Sequence, residues 1–332
     1  MTAHILRGVI RLASDLGACG LHTRSMSVLS FGPLKPSSSP NANEGCLNLT
    51  MRRATTTGFD FDSSTRDEIA IFLAKAALAA GPAVMDVYEY GGEARAKPDG
   101  SPVTIADRRA EAVICEHLGQ ALPHLPIMAE ESIAEGQPLR AAERFLLVDP
   151  LDGTREFLAH NGEFTINVAL VEKGEPTAGA VYAPAIGQLW YGGGQAFVCE
   201  AQPGAILGEN FPRRRIHTRL APRSLIALAS RSHSDSRTEA FLERLPIAER
   251  RSGGSSLKFC LIAQGSADVY PRFAPTMEWD TAAADAVLRA AGGIVLDLSG
   301  SPLAYGKIAT ELRNDGFVAW GDPAAPNRFG QR

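Results

Sequence analysis

Two aspartates near the middle of the chain are the first residues whose spacing suggests chemistry. The apolar run 145–148 predicts a buried strand, and Asp149 and Asp152 follow it closely. Pro150 fixes its own φ and Gly153 permits a sharp turn, so both carboxylates can face one point. Two anions that close repel each other unless a cation lies between them. A hard divalent cation, most simply Mg²⁺, suits such oxygen ligands.

The same segment also has an ordinary interpretation as a turn at the end of a strand. Asp-Pro and Asp-Gly pairs are common in turns, and Thr154 could cap a following helix. Taken alone, the segment is compatible with both a metal site and a turn. The choice between these interpretations depends on the other acidic positions in the sequence.

Three further acids stand at the ends of predicted elements. Glu130 follows the short predicted strand 126–129, and Asp107 stands at the start of a predicted helix. Asp280 occupies the expected N-cap position of an alanine-rich helix predicted over 281–291. Each has an ordinary alternative, which is a solvated acid for Glu130 and a helix cap for Asp107 and Asp280. Together with Asp149 and Asp152 they could form one oxygen-rich site.

Composition excludes several classes of function. The chain has 332 residues, is 45% hydrophobic and 21% charged, and carries a net charge of −4. These values predict a globular protein of two subdomains or one large α/β body, without a general attraction for nucleic acid polymers. We read no apolar run near the ~20 residues of a membrane helix, so we expect no transmembrane segment. The five cysteines include no C-x-x-C pair, which predicts free thiols in a reducing, cytoplasmic compartment.

The first 60 residues differ from the rest because they contain few acids and several arginines. Residues 1–50 could be an organelle-targeting peptide. The alternatives that we favour are a disordered tail or an upstream start-site artefact, with translation beginning at Met51. We exclude residues 1–60 from the fold.

The remaining chain divides into two patterns. A capping box at Thr65 and Glu68 opens a helix that ends at Gly91, and residues 164–197 predict an antiparallel meander. From about residue 216 the pattern alternates strands (225–229, 268–270, 294–298) with helices (234–245, 256–264, 281–291). We therefore expect an N-terminal α+β subdomain over 61–215, a C-terminal α/β subdomain over 216–332, and a site in the crevice between them.

Three motifs in a fixed order carry a family resemblance. They are A-E-E-S at 129–132, D-P-L-D-G-T at 149–154 and W-D-T-A-A at 279–283. Over about residues 65–320 the chain resembles the inositol monophosphatase superfamily of metal-dependent, lithium-sensitive phosphatases. Segments 101–104, 154–157, 161–165, 182–184, 230–233, 254–260 and 270–273 resemble its 3'(2'),5'-bisphosphate nucleotidases of the CysQ type.

The resemblance implies a layered α/β/α/β/α sandwich and a dependence on Mg²⁺. By matching position, Glu130, Asp149 and the Leu151 carbonyl would bind one Mg²⁺, and Asp149, Asp152 and Asp280 a second, with a third ion left open. Asp107 and Thr154 would orient and deprotonate the attacking water.

The resemblance also implies a substrate site. Gly153 and Thr154 would offer backbone donors to a phosphate, and Glu130, Leu151, Asp152 and Asp280 would line the same site. Ser255, Ser256, Lys258 and Arg272 are the candidates for binding the rest of a bisphosphate, with Arg231 and His233 beside them. Taken alone, each of these cations is more often an ordinary surface charge. We also place Lys97, on a flap near the metal site, among the weaker candidates. The sequence departs from these nucleotidases at Ala284-Asp285, where they usually have Gly-His, and this changes the local charge near Asp280.

The implied activity is hydrolysis of the 3'-phosphate of adenosine 3',5'-bisphosphate by water activated between two metal ions. Action on 3'-phosphoadenylyl sulfate is left open. The alternatives are an inositol monophosphatase-like enzyme of another specificity and a catalytically inactive nucleotide sensor. The expected partner is a small nucleotide, while the choice between monomer and homodimer, and peripheral membrane association, stay open.

Overall fold

A computed structural model describes residue 61 and residues 64–91, 94–96, 102–231 and 235–329. They belong to one compact unit. The tail 1–60, Lys97 and His233, to which the sequence assigns roles, lie outside the described residues.

The secondary structure follows the chain in order. The α-helices are α1 (Arg66–Tyr90), α2 (Ile105–Ala121), α3 (Glu130–Ala134), α4 (Thr154–Leu158), α5 (Ser236–Glu243), α6 (Leu257–Ala263), α7 (Ala282–Ala290) and α8 (Ala325–Arg328). The first nine strands are β1 (Ala94–Ala96), β2 (Pro102–Thr104), β3 (Ile127–Ala129), β4 (Arg144–Asp152), β5 (Thr165–Glu172), β6 (Glu175–Ala183), β7 (Gln188–Gly192), β8 (Ala196–Glu200) and β9 (Arg214–Ile216). The remaining strands are β10 (Leu225–Ser230), β11 (Ile247–Gly253), β12 (Val269–Arg272), β13 (Thr276–Met277), β14 (Ile294–Asp297), β15 (Arg313–Asn314) and β16 (Phe317–Trp320).

A seven-stranded sheet of order β3-β4-β5-β6-β7-β8-β9 forms the larger half of the fold. β3 and β4 are parallel and the later pairs antiparallel, so the predicted meander is confirmed. Side chains alternate between the two faces of a strand. In β5, Ile166 and Val168 pack with α1 and α2, whereas Ala169 packs with α6 and α7. Asn167 therefore faces the α6–α7 side, as does Asp149, its register partner on β4.

Helix α1 covers the first face of this sheet. Its predicted capping box is present, since the Thr65 hydroxyl accepts from the Glu68 N–H and the Glu68 carboxylate accepts from the Thr65 N–H. By length and composition alone α1 could cross a membrane, which differs from our reading of the sequence. A buried core helix passes the same test, and α1 packs against α2 and β6. The result therefore carries little weight for a membrane span.

A five-stranded sheet of order β11-β10-β12-β16-β14 forms the other half. Helices α6 and α7 lie between the two sheets in one hydrophobic core, and α5 covers the outer face of the second sheet in another. The layers thus run α, β, α, β, α, and the predicted sandwich is confirmed. The first sheet ends at Ile216 and the second begins at Leu225, close to the expected boundary at 215. The division into two subdomains stays a prediction.

Small residues let α7 lie unusually close to the first sheet. A Cβ at Gly179 of β6 would stand 2.4 Å from the Ala283 carbonyl oxygen. The Asp285 carboxylate, two residues after Ala283, is buried, pairs with Arg289 at 2.7 Å and accepts a hydrogen bond from the Tyr305 hydroxyl at 2.9 Å. The Ala284-Asp285 departure is therefore neutralised inside the helical layer.

Sequence reasoning missed β11 and β16. β11 is an edge strand with five consecutive exposed residues, so it shows no apolar alternation. β16 is an interior strand and fully buried, but it is only four residues long, which is too short for a periodicity to identify it.

Candidate active site

A cavity of about 220 Å³ opens where the end of β4 meets the loop before α6 and the start of α7. Its walls include acids, bases and hydroxyl groups from distant parts of the chain. The polar lining comprises Glu130, Asp152, Thr154, Arg155, Glu156, Ser230, Ser255, Lys258, Arg272, Thr276, Asp280 and Thr281, with Gly153 and Gly254. The fold thus brings three of the predicted metal-binding acids to one cavity.

The end of β4 gives the first wall its shape. We expected the strand to stop at Val148, but β4 continues to Asp152. Its pairing with β5 is irregular between Asp149 and Asp152. Gly153 then adopts φ +93°, a conformation that glycine tolerates best, and α4 begins. Gly153, and not Thr154, holds the N-cap position of this helix.

Burial and neighbouring acids raise the pKa of Asp149 and of Asp280. Burial, followed by the charges of Glu130, Asp152 and Asp280, raises the pKa of Asp149 well above its usual value. Burial first, then Asp152 and Glu130, raises the pKa of Asp280 to about 8. Burial also raises the pKa of Asp152, although Lys258 and the Ser256 hydroxyl oppose this effect. Around Asp149 and Asp280, positive charge is therefore too scarce to balance the carboxylates.

This shortage predicts how stability depends on pH in protein stripped of cations. Asp280 titrates near 3.8 when unfolded and near 8 when folded, so the folded state binds more protons between those values. The contribution of Asp280 to the free energy of unfolding is fully present below the unfolded-state pKa and is lost as pH rises through the folded-state pKa. With a chelator present, the midpoint of thermal unfolding followed by circular dichroism should fall by roughly 5–10 °C between pH 5 and pH 8.

Saturating Mg²⁺ should abolish this decline, because a ligand that binds only the folded state stabilises it. A chelated protein whose unfolding midpoint is level or rises between those pH values would contradict the prediction.

The donors fit a hard cation in chemistry, since every candidate ligand is an oxygen and the acids repel one another. Among the described residues, however, no group of three or more Asp, Glu, His or Cys side chains is already arranged to coordinate a metal ion. One oxygen of Asp149 accepts from the Leu151 N–H at 3.0 Å, and one of Asp280 from the Met277 N–H at 2.9 Å. Binding a cation would therefore use the remaining oxygens of these carboxylates.

The position of Asp280 differs from the prediction. Thr281 is the N-cap residue of α7, and Asp280 precedes it with its carboxylate turned back to Met277. The N-cap prediction was wrong by one residue, which leaves Asp280 on the cavity wall.

Asp107 and Thr154 lie on neighbouring elements, because α4 packs against β2 just before α2. Asp107 is buried, and its carboxylate accepts from the Thr104 N–H and hydroxyl at 2.7 and 2.8 Å. Burial raises the pKa of Asp107 to about 6. The Thr154 hydroxyl lies 3.4 Å from the Leu151 carbonyl, and no described hydrogen bond joins it to Asp107. The capping role of Asp107 is confirmed, while its catalytic role stays a prediction.

The cationic wall contains donors with free capacity. The buried Lys258 amine donates to the Gly253 and Ser255 carbonyls at 3.0 and 2.6 Å. An ammonium group has three N–H donors, so one remains for a ligand. The Ser255 hydroxyl and Arg272 Nε are buried without a hydrogen-bond partner. Both residues line the cavity, so a bound anion would satisfy these unpaired donors.

Glu163 is a residue that sequence reasoning did not single out. One oxygen accepts from Arg231 and the other from the Gly254 N–H, both at 2.7 Å. Glu163 therefore holds the loop that carries Ser255 against the residues after α4. In the sequence, the segment 161–165 is identified only by its resemblance to the nucleotidases. Arg231 is therefore a paired cation with a side chain that is 45% exposed, and it does not line the cavity.

Replacing Gly254 by alanine should disturb this loop. The new Cβ would stand 2.5 Å from the Glu163 carbonyl oxygen and 2.8 Å from Glu156 Cγ. Overpacking costs about 1–3 kcal/mol, so thermal unfolding should occur several degrees lower. Gly208→Ala is the control, since a Cβ there meets nothing within 4 Å. Equal unfolding midpoints for the two variants would contradict the close packing.

Several predicted site residues do not line the cavity, namely Asp107, Arg231, Asp149, Leu151 and Ser256. Asp149 and Leu151 are buried behind it on β4, and Ser256 is buried beneath the loop. Glu156, which the sequence did not single out, lines the cavity and is only 7% exposed.

Comparisons with known proteins agree with this architecture. A model of the inositol monophosphatase family matches residues 65–319. The 3'(2'),5'-bisphosphate nucleotidase CysQ of Salmonella typhimurium is 43% identical over 228 residues, which are 68% of this chain and 89% of that protein. The corresponding protein of Escherichia coli K12 is 42% identical with the same coverage.

Solved structures give the same result. The crystal structure of CysQ from Bacteroides thetaiotaomicron, a bacterial member of the inositol monophosphatase family, has a TM-score of 0.64 and 37% identity, covering 76% of this chain and 97% of that one. Inositol monophosphatase from Anabaena has a TM-score of 0.59 at 24% identity, covering 79% and 94%, and so supports the fold alone. From its sequence motifs, its layered fold and these matches, we conclude that the chain belongs to the inositol monophosphatase family.

Proposed function

We propose that this protein is a Mg²⁺-dependent phosphomonoesterase that removes the 3'-phosphate of adenosine 3',5'-bisphosphate. One observation carries the proposal: a single cavity is lined both by mutually repelling acids and by Lys258, Arg272 and Ser255, which have free donor capacity. The nucleotidases that this chain resembles at 43% identity indicate the nucleotide.

Glu130, Asp149 and the Leu151 carbonyl would hold one cation, and Asp149, Asp152 and Asp280 a second. When bound, such ions lower the pKa of water and neutralise charge on the phosphoryl and leaving oxygens. Asp149 is shared between the two sets, which agrees with its buried position among the other acids.

We assign the general base to Asp107, with the Thr154 hydroxyl between it and the water. An aspartate of ordinary pKa is a weak base at neutral pH, whereas burial brings the pKa of Asp107 to about 6. The Thr154 hydroxyl makes only a long contact of 3.4 Å with the Leu151 carbonyl, so it can turn towards Asp107 during the reaction.

The two phosphates of the substrate suit different parts of the cavity. The reacting phosphate would lie at the backbone of Gly153 and Thr154, next to Asp152 and Asp280. The Lys258 ammonium, the Arg272 guanidinium and the Ser255 hydroxyl would bind the other phosphate, because charge-assisted hydrogen bonds select an anion.

We also propose that the protein acts in the cytoplasm, as a monomer or homodimer, on a small nucleotide. The cysteines at 115, 199 and 260 are free thiols, as a reducing compartment requires.

Phosphate release from adenosine 3',5'-bisphosphate, 3'-phosphoadenylyl sulfate and inositol 1-phosphate tests the proposal. With Mg²⁺ we expect kcat/KM for the bisphosphate to exceed that for the inositol ester by at least about tenfold, or about 1.4 kcal/mol. Preference for the inositol ester would overturn the substrate, and activity that survives thorough chelation would overturn the metal dependence. Nucleotide binding without turnover would favour the sensor alternative.

A further inference from the structure

The Ser256 hydroxyl connects two of the acidic segments from behind the cavity. Its Oγ lies 2.9 Å from Asp152 Oδ2 and 2.9 Å from the Asp280 carbonyl oxygen. Ser256 is 1% exposed and does not line the cavity. A substrate therefore does not reach this hydroxyl, while the two segments that carry Asp152 and Asp280 both do.

Asn167 supplies a third contact from the first sheet. Its Nδ2 donates to Ser256 Oγ at 2.9 Å, and its side chain is 1% exposed. Asn167 is also the register partner of Asp149 on the neighbouring strand. The Ser256 hydroxyl thus lies where β4, β5 and the start of α7 meet.

The number of protons at Ser256 fixes the direction of these bonds. A serine hydroxyl has one proton to donate, and its oxygen already accepts from Asn167. An ionised Asp152 can only accept, so the proton must point to Asp152 Oδ2, with the Asp280 carbonyl sharing it. The bond holds one oxygen of Asp152 and leaves the other for the cavity.

We propose that Ser256 is a positioning residue that fixes the carboxylate of Asp152 relative to the segment of Asp280, and that Asn167 orients its hydroxyl. This inference rests on the proposed cation-dependent function. It gives Ser256 a role different from direct substrate binding, because the residue acts through the acids.

Cation binding measured without substrate tests the proposal. Protein freed of metal is titrated with Mg²⁺ and with Mn²⁺ by calorimetry, for wild type, Ser256→Ala and Ser256→Cys, whose thiol is only a weak donor. Removing such an outer partner typically costs about 10–100-fold in metal affinity, and we expect losses in this range for both variants.

A double-mutant cycle tests the part of Asn167. If Asn167 acts through the hydroxyl, Asn167→Leu combined with Ser256→Ala should lose no more affinity than Ser256→Ala alone. Thr177→Val is the control, because this hydroxyl is also buried but has no hydrogen-bond partner and lies at the far end of β6. It should bind both ions as wild type does.

The outcomes separate this inference from the proposed function. Wild-type affinity in Ser256→Ala, additive losses in the double variant, or failure of both Ser256 variants to fold would overturn the positioning role while leaving an active wild type unaffected. A wild-type protein that binds neither ion would overturn the proposed function and the inference with it.

Discussion

Replacing Asp149 by asparagine is expected to lower kcat/KM for adenosine 3',5'-bisphosphate by about 10³-fold or more. Asparagine keeps the size of the side chain and an oxygen that can accept from the Leu151 N–H, but it removes the charge shared by both proposed cation sites. Metal ions contribute several kcal/mol to stabilising a phosphoryl transition state, and 1.4 kcal/mol is worth about tenfold in rate. Initial rates of phosphate release over a range of substrate concentrations measure the loss.

The same variant should gain stability when cations are absent. Burial and three neighbouring acids oppose ionisation of Asp149 in the folded state, so a neutral side chain relieves that cost. With a chelator at pH 8, Asp149→Asn should therefore unfold at a higher temperature than wild type. Asp86→Asn is the control, since Asp86 is exposed on α1 and pairs only with exposed Arg109 among the described ion pairs. An active Asp149→Asn protein would contradict the assignment of this acid.

Replacing Lys258 by methionine is expected to raise KM by about 30-fold or more, with a smaller effect on kcat. Truncating one partner of a buried charge pair costs about 2–5 kcal/mol. The Lys258 amine is held by two loop carbonyls and lines the cavity, so it would meet a phosphate already oriented. Methionine retains the packing volume. Lys75→Met is the matched control, because Lys75 is exposed on α1.

The pH dependence of KM should identify the amine. Burial lowers the pKa of Lys258 to about 8, although Asp152 opposes this. The ammonium is therefore charged below pH 8 and loses its charge as pH rises through that value. At saturating Mg²⁺, KM of the wild type should increase between pH 7 and pH 9.5, and KM of Lys258→Met should change much less. Parallel profiles for the two proteins would show that Lys258 does not bind the substrate anion.

The local interactions were readable from the sequence because they depend on near neighbours. The capping box at Thr65, the meander after Thr165 and the turn at Gly153 all depend on residues a few positions apart. Predictions failed where the local signal was ambiguous. Asp280 had the sequence of an N-cap, but its carboxylate bonds to Met277 and the helix begins one residue later than that assignment requires.

The polar strand β11 and the four-residue strand β16 show a similar limit. Each becomes a strand because neighbours in the sheet supply hydrogen-bond partners, and those neighbours are distant in sequence. Glu163 is a comparable case, since its partners Arg231 and Gly254 lie 68 and 91 residues away.

The sequence by itself determined which acids and bases the site could use, because residue type and the nearby turn residues set the available donors and charges. Only the tertiary structure decided which of them share a cavity and which lie behind it. Packing of α7 against the first sheet brings Asp280 to Asp152, and it also buries Ser256 between them. Burial raises the pKa of these acids, and burial depends on contacts between segments more than 100 residues apart, which no local pattern records.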